Sequence, residues 1–320
     1  MPGRSTRSAQ AERVVLRLEG YVELPEHRGE GGFDHAAVHR ELGRLYVAHT
    51  ANDAVDIIDL DKGRYVDSIV GLTGVAGALV SEAWDLVFTS NRGEDTIAIL
   101  DARHPHSLVK VPVGLRPNGL AFDPVRRTLL VANVGDPADP GSHNLSIVDT
   151  YRAVLRASIP VAGRTRWTVF DPTADRFFVN IADPPSIVVL EGGDPTRVSA
   201  TIEIPAAGPH GLEIDEASRL YCACDAGHLV VLAPPAYKAV ADLPLSGSPD
   251  VIFLDRAVHH LYVAIGDPGL IEVFDVDLLE RVDALPTERG THTIGLDPDR
   301  HRVYAFLPAT HRAALFQDES

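Results

Sequence analysis

The sequence is poor in cysteine, in aromatic residues and in positive charge. Its 320 residues include two cysteines, and aromatic residues make up 6% of the chain. A core must therefore be built mainly from Val, Leu, Ile and Ala. Basic residues number 29 against 45 acidic ones, giving a formal net charge of -16. Such a surface repels phosphate backbones, which argues against nucleic acid as a partner and favours solubility.

The N-terminal segment lacks an apolar run long enough for a signal peptide or a membrane span. Residues 1–12 are polar, and Arg17, Glu19 and Glu23 interrupt the more apolar residues 13–25. We therefore expect no membrane association. We also expect residues 1–12 to be a disordered tail and residues 13–320 to form a single domain.

The two cysteines stand close together in the run LYCACD, as Cys222 and Cys224. On a strand both side chains would lie on one face, about 7 Å apart along the chain, where a disulfide would be strained. We expect two buried thiols in a reducing, cytoplasmic compartment. A redox or metal-binding pair is the alternative.

Three catalytic motifs are missing from the chain: the Walker loop, HExxH and GxSxG. Their absence leaves nucleotide phosphoryl transfer and α/β-hydrolase chemistry without support. We expect no nucleotide or organic cofactor.

Short β-rich runs recur along the whole chain, separated by Gly, Pro and Asp turns. The second run of each unit is the clearest, as in LGRLYVAHT, RRTLLVANV, VHHLYVAIG and RHRVYAFLP. An apolar strand precedes each run, and most are followed by a strand ending in an acid and by a fourth strand. Units of four strands at steps of about 40–48 residues predict an all-β, seven-bladed β-propeller. An open solenoid is the alternative.

The last unit has room for three strands only, TIGLD, VYAFL and AALFQ. Residues 13–25 precede the first full unit and read as a strand without a blade. We predict that this N-terminal strand completes blade 7 and closes the ring, because closure removes exposed sheet edges.

The repeats resemble YVTN-type propeller repeats, with YVAH, FTSN and VANV in the characteristic place. The segment RPNGLAFDPVRRTLLVANV, with GPHGLEID and GSPDVIFLD, also resembles the gluconolactonase and senescence-marker family. Streptogramin-lyase-like propellers have a similar appearance. These resemblances imply a propeller fold. The families concerned include lactonases, a lyase and proteins without known chemistry.

In such a fold the first strand of every blade lines the central channel, and its leading residue sits at the mouth of the top face. We call these seven positions the mouth ring: Asp34, Ala76, Asn118, Arg166, His210, Asp250 and His292. A second ring, from the ends of the second strands, includes His49, Asn91, Asn133, Asp225 and Asp267.

Four members of the mouth ring come from consecutive blades and carry metal-ligating side chains, namely His210, Asp250, His292 and Asp34. Two imidazoles and two carboxylates suit zinc, manganese or iron better than calcium. The gluconolactonase resemblance implies a metal at the mouth, with Asn118 and Asp250 matching two ligand positions and Asp34 replacing a glutamate. A metal-free ligand pocket and a merely solvated mouth remain alternatives.

Other polar residues near the mouth are candidates for substrate handling. Arg166, across the mouth, could hold a carboxylate or an oxyanion. Trp167, Asn118 and Asn133 are candidate ligand contacts. His35 and His49 are candidate general bases, because an unperturbed imidazole titrates near neutrality.

Two functions follow from these residues. One is a metal-assisted hydrolase of the lactonase type, or a lyase, acting on a small molecule in the top-face pocket. The alternative is a non-catalytic propeller that binds a metabolite or a protein.

Overall fold

The computed structural model describes residues 15–320 and contains seven four-stranded antiparallel sheets arranged as the blades of a propeller. The predicted fold class is therefore confirmed. Helix is limited, among the described residues, to three short 3₁₀ segments, Thr50–Asn52, Glu82–Trp84 and Pro140–Ser142. The last lies in the extended loop between the second and third strands of blade 3. Among these residues no helix has the length and apolar character that a membrane crossing needs.

The strands follow the chain in order, four to a blade. Blade 1 holds β2 (Ala36–His39), β3 (Arg44–His49), β4 (Ala54–Asp59) and β5 (Arg64–Val70). Blade 2 holds β6 (Val75–Ser81), β7 (Leu86–Asn91), β8 (Thr96–Asp101) and β9 (Leu108–Pro112). Blade 3 holds β10 (Pro117–Asp123), β11 (Thr128–Asn133), β12 (Asn144–Asp149) and β13 (Val154–Pro160).

The second half of the ring repeats this arrangement. Blade 4 holds β14 (Thr165–Asp171), β15 (Arg176–Ile181), β16 (Ser186–Glu191) and β17 (Ala200–Glu203). Blade 5 holds β18 (Pro209–Ile214), β19 (Leu220–Cys224), β20 (His228–Ala233) and β21 (Lys238–Pro244). Blade 6 holds β22 (Pro249–Asp255), β23 (His260–Ile265), β24 (Leu270–Asp275) and β25 (Glu280–Pro286). Blade 7 holds β26 (Ile294–Asp297), β27 (Arg302–Leu307), β28 (Arg312–Asp318) and β1 (Leu16–Glu23).

Blade 7 is closed by the N-terminal strand, as predicted. Its strand order is β1-β28-β27-β26, and β1 pairs antiparallel with β28 from Leu16 opposite Asp318 to Glu23 opposite Arg312. Residues 1–12, which we expect to be a tail, lie outside the described residues. The two ends of the chain thus share one sheet, and the ring has no open seam.

The core lies between neighbouring blades, where the apolar faces of the sheets meet. The largest fully buried side chains come mainly from the second strands, and include Tyr46, Phe88, Phe177, Tyr221, Tyr262 and Tyr304. Acids that end the third strands cap the following turns: the Asp149 carboxylate accepts hydrogen bonds from the backbone amides of Tyr151 and Arg152. These acids stabilise turns, so their recurrence reflects the repeat.

Cys222 and Cys224 are buried free thiols on one face of β19, with their sulfur atoms 3.8 Å apart. Burial, and then the neighbouring Cys224, raise the pKa of Cys222. A neutral thiol is a poor nucleophile, so this geometry favours inert core residues.

Candidate functional site

The mouth ring is assembled by the close approach of neighbouring first strands. Gly119 and Gly211 each follow a ring residue directly, and a Cβ there would lie 2.4 Å and 2.5 Å from the backbone oxygens of Arg166 and Asp250. Only glycine allows this spacing. The side chain of each ring residue is thereby brought beside that of the next blade.

Blades 5, 6 and 7 contribute a continuous row of hydrogen bonds, which we call the acid–imidazole chain: Asp225, His210, Asp250 and His292. His210 lies between two carboxylates, with Nδ1 2.7 Å from Asp225 Oδ1 and Nε2 3.1 Å from Asp250 Oδ1. The other oxygen of Asp250 lies 3.0 Å from His292 Nδ1. One carboxylate therefore joins two imidazoles.

The carboxylates set the protonation state of this chain. Burial alone would lower the pKa of His210, but the charge of Asp250 and the hydrogen bonds that His210 donates to Asp225 and Asp250 outweigh it and raise the pKa to about 9. The pKa of His292 is raised in the same way by Asp250, against the effect of burial. Burial would raise the pKa of Asp250, yet His210 and His292 lower it well below its usual range. At neutral pH His210 is therefore an imidazolium ring held between two carboxylates.

Arg166 of the neighbouring blade 4 contacts this chain directly, whereas the sequence predicted it across the mouth. Its Nη1 lies 3.1 Å from His210 Nε2, and its Nη2 lies 3.3 Å from Asp225 Oδ2. The Arg166 side chain is 15% exposed, and its buried Nε has no hydrogen-bond partner within the described part of the chain. An unused buried donor at a mouth points toward an acceptor on a ligand.

Blades 2, 3 and 4 contribute four arginines, which we call the arginine sector: Arg92, Arg116, Arg164 and Arg166. Partial desolvation, then the charges of Arg166, Arg116 and Arg92, lower the pKa of the Arg164 guanidinium. The four cations are therefore close neighbours. Arg116 and Arg164 are exposed, and within residues 15–320 neither guanidinium has an acidic partner.

Arg92 fixes the edge of this sector. Its Nη2 donates to Asn118 Oδ1 at 2.6 Å and lies 3.3 Å from Asp34 Oδ2. Asn118 and Asp34 are both buried ring residues. Asn118 and Asp34, both predicted site residues, thus orient the Arg92 guanidinium. Asn118 is therefore a residue that positions an arginine of the sector.

Sequence reasoning overlooked Arg116 and Arg164, although the repeat register indicates them. Both stand two residues before the ring residue of their blade, where other blades carry Gly32, Gly74, Gly208, Ser248 and Gly290. Arg116 adopts the left-handed conformation at φ 52°, as those glycines do. An arginine in a glycine conformation is strained, and such strain often marks functional positions.

His35 and Trp167 lie one residue further along their first strands, immediately below the mouth. Their rings pack with centroids 4.1 Å apart, and His35 Nε2 lies 3.4 Å from Asp34 Oδ1. Burial lowers the pKa of His35, with the charge of Asp34 opposing it only in part. His35 is therefore a neutral imidazole at neutral pH, as a general base must be.

His49 and Asn133, two further predicted site residues, are buried. His49 has no exposed surface; its Nδ1 is 2.7 Å from Asp56 Oδ2, and its ring packs against Phe33. Asn133 is also fully buried and donates to Asn144 Oδ1 at 2.8 Å. Neither side chain forms a hydrogen bond with a mouth-ring residue among residues 15–320.

Comparison with known proteins supports the fold and leaves the activity open. No protein-family model matches the chain, and no curated protein matches it. Among solved structures, Kuenenia stuttgartiensis hydrazine synthase is similar, with a TM-score of 0.78 and 15% identity over 92% of this chain and 96% of that one. At such low identity the similarity shows the fold alone. Membership of the YVTN, gluconolactonase or streptogramin-lyase families is not confirmed.

The predicted metal at His210, Asp250, His292 and Asp34 stays a prediction. Among residues 15–320 no group of three or more His, Cys, Asp or Glu side chains is arranged to hold a metal ion. The Nε2 atom of His210 also faces the Arg166 guanidinium. A cation at that nitrogen would require Arg166 to turn away.

Proposed function

We propose that the mouth of the top face binds a small carboxylated or phosphorylated metabolite. The observation that carries this proposal is the arginine sector, which concentrates four cations on three adjacent blades of a chain whose net charge is -16. Two of these guanidiniums have no acidic partner among the described residues. A bound anion would relieve their mutual repulsion, and its ion pair with each of these exposed guanidiniums contributes about 1 kcal/mol.

The acid–imidazole chain supplies the second part of the proposal, which is proton transfer to the bound metabolite. Protonated His210 can donate a proton to a leaving oxygen and become neutral. His292, which is 35% exposed, can then return a proton from solvent through its contact with Asp250. This role requires one of the carboxylates to release His210 when the ligand arrives.

A base is needed as well, and His35 fits that role because it is neutral and lies beside Asp34. It would take a proton from water in a hydrolase, or from a carbon next to a carboxylate in a lyase. Trp167, which packs against His35 at a tilt, would limit the access of water from below. The proposed reaction class is therefore acid–base hydrolysis or elimination on a small anionic substrate.

A metal-assisted form of this chemistry is the second candidate, because the two imidazoles and two carboxylates of the mouth ring are ligand types that zinc prefers. His210 Nε2 and Asp250 Oδ1 are 3.1 Å apart, and His292 Nδ1 and Asp250 Oδ2 are 3.0 Å apart. Neighbouring ligands of a tetrahedral zinc ion are separated by about 3.4 Å, so an ion would have to replace these direct contacts and displace Arg166 from His210. A bound ion would act as a Lewis acid toward a substrate oxygen.

Anion binding is tested by thermal shift with a panel of small carboxylates and phosphates at low ionic strength. At a hundredfold excess over Kd a ligand stabilises the folded state by about 2.7 kcal/mol, which is measurable. Arg164→Gln should weaken the shift. Arg197→Gln removes an exposed arginine from the turn after β16 and should leave it unchanged. If no anion stabilises the wild-type protein, the proposal fails.

Catalysis and metal use are separated by two further measurements. His210→Gln should abolish turnover of lactone, ester or hydroxy-acid substrates while the anion still binds. If the anion binds but the wild-type protein turns over none of them, the non-catalytic binding function replaces the enzyme. Elemental analysis after incubation with zinc, manganese and iron decides the metal form: a stoichiometric ion supports it, and no ion refutes it.

A further inference from the structure

A second cavity lies in the central channel, on the other side of the His35–Trp167 pair. Its volume is about 780 Å³, within the range of small-molecule sites. None of the mouth-ring residues lines it, and it extends to the turns at the ends of the first strands, on the bottom face. Apolar atoms make up only slightly more than half of its wall, and Trp167, Phe122, Phe170 and Phe253 are its aromatic members. It is therefore distinct from the site proposed at the mouth.

One wall position of this cavity breaks the apolar pattern. Three residues after each ring residue, the other six blades carry Ala37, Leu79, Ala121, Val169, Phe253 and Gly295. Blade 5 carries Glu213 there, on strand β18. A carboxylate on an apolar wall is costly unless something pairs with it.

Glu213 has almost no partner in the protein. Its Oε2 accepts one hydrogen bond, from the backbone amide of Ile214 at 3.2 Å, and no salt bridge to it occurs among the described residues. Arg256 is the nearest cation, but its Nη2 donates to the carbonyl oxygen of Ile214 at 2.6 Å. Burial raises the pKa of Glu213 to about 7, with Arg256 offsetting this only in part.

The other ionisable groups along this cavity lie at its rim, and all of them except Arg256 are paired with an opposite charge. Arg40 bonds to Glu82, and Asp255 lies 2.8 Å from His301 Nδ1. Arg256 forms no salt bridge among the described residues and is held by the carbonyl oxygen of Ile214. Glu213 is therefore the one unpaired carboxylate that a ligand entering the channel would meet.

We propose that this cavity binds a small organic ammonium ion with an aromatic or branched hydrocarbon group. The ammonium would pair with the Glu213 carboxylate, and the hydrocarbon would pack against Phe253 and Trp167. Aromatic faces attract cations, and a nearby carboxylate adds a direct ion pair. Complementary charge selects an amine over a neutral or anionic molecule of the same shape.

The test uses Trp167 as its reporter. The chain has two tryptophans, and Trp84→Phe removes the exposed one. Fluorescence of the full chain is titrated at pH 8 with 2-phenylethylammonium, 2-phenylethanol and 3-phenylpropionate, which share a phenyl group and differ in charge. We expect the ammonium ion to bind at least tenfold more tightly than the alcohol, and the carboxylate to bind least.

Glu213→Gln should abolish the preference for the ammonium ion while leaving the alcohol bound at least as well. Glu216→Gln, which removes an exposed acid from the next turn, should preserve it. Equal affinity of wild type for ammonium and alcohol would overturn the proposal, as would a preference that survives Glu213→Gln or no response of Trp167 to any probe. The wild-type comparison decides the matter even if a variant folds poorly.

Discussion

The closing strand β1 allows the ring model to be tested with one pair of substitutions. Leu16 and Leu18 lie two residues apart on this strand. Leu16 is fully buried in the core between blades 6 and 7, whereas Leu18 is 42% exposed. The backbone amides of Val15 and Leu16 also donate to Asp283 Oδ2 of blade 6, at 2.7 and 3.1 Å. Leu16 thus anchors the strand, while Leu18 shares its backbone pairing only.

The expected magnitude follows from the burial of Leu16. Leu→Ala at a fully buried site costs about 2–5 kcal/mol. Unfolding entropy is about 2.1 cal/mol/K per residue, or roughly 0.6–0.7 kcal/mol/K for a chain of this length. Leu16→Ala should therefore lower Tm by about 3–8 °C. Leu18→Ala should change it by less than about 1 °C, because exposed substitutions usually stay within 0.5 kcal/mol.

Scanning calorimetry and urea unfolding measure both variants against wild type. A third variant without residues 1–26 loses the whole strand, together with the buried side chains of Leu16, Val22 and Leu24. Each contributes about 1.5–3 kcal/mol, so the loss approaches the 5–15 kcal/mol by which domains are stable. If Leu16→Ala melts like Leu18→Ala, or the truncated chain melts like wild type, the shared blade is wrong.

Three further predictions concern other parts of the ring. Arg116→Gly should change the free energy of unfolding by less than about 1 kcal/mol, because glycine relieves the strain of the left-handed conformation but raises the conformational entropy of the unfolded chain. The same variant should bind the anion about fivefold more weakly, as measured by calorimetry. Cys222 and Cys224 should react with a thiol reagent only after denaturation; rapid labelling of native protein would contradict this. Burial opposes ionisation of Asp318, but hydrogen bonds led by that of His260 lower its pKa to about 2 from 3.8. The stabilising contribution of the Asp318 carboxylate should be complete above pH 4 and should be lost as the pH falls toward 2. Asp318→Asn should therefore lower the free energy of unfolding at pH 7. Urea titrations at decreasing pH should show the stabilities of variant and wild type converging.

The propeller was predictable because its information is repeated. Seven copies of the same alternating pattern fix the strand order, and the shortage of one strand at the end fixes how blade 7 closes. The mouth ring was predictable for the same reason, since equal steps along the repeat bring Asp34, His210, Asp250 and His292 to one mouth.

The chemistry of the mouth was less predictable, because it depends on side-chain directions that the repeat leaves open. The hydrogen bond between His210 and Asp225 joins a residue of the mouth ring to a residue of the second ring, and the sequence does not indicate this pairing. His49 and Asn133 stand at second-strand ends, as expected, yet both are fully buried. Arg116 and Arg164 are departures from a position that most blades fill with glycine, two residues before the mouth ring, so the repeat register indicates them.

The most direct test of the proposed anion site is calorimetric titration of the most stabilising anion into wild type and into the double variant Arg116→Gly/Arg164→Gln. Wild type should show one binding site, and the double variant should bind about 25-fold more weakly, because each exposed guanidinium contributes about 1 kcal/mol. Higher salt should also weaken binding to wild type. An unchanged affinity in the double variant would contradict the account.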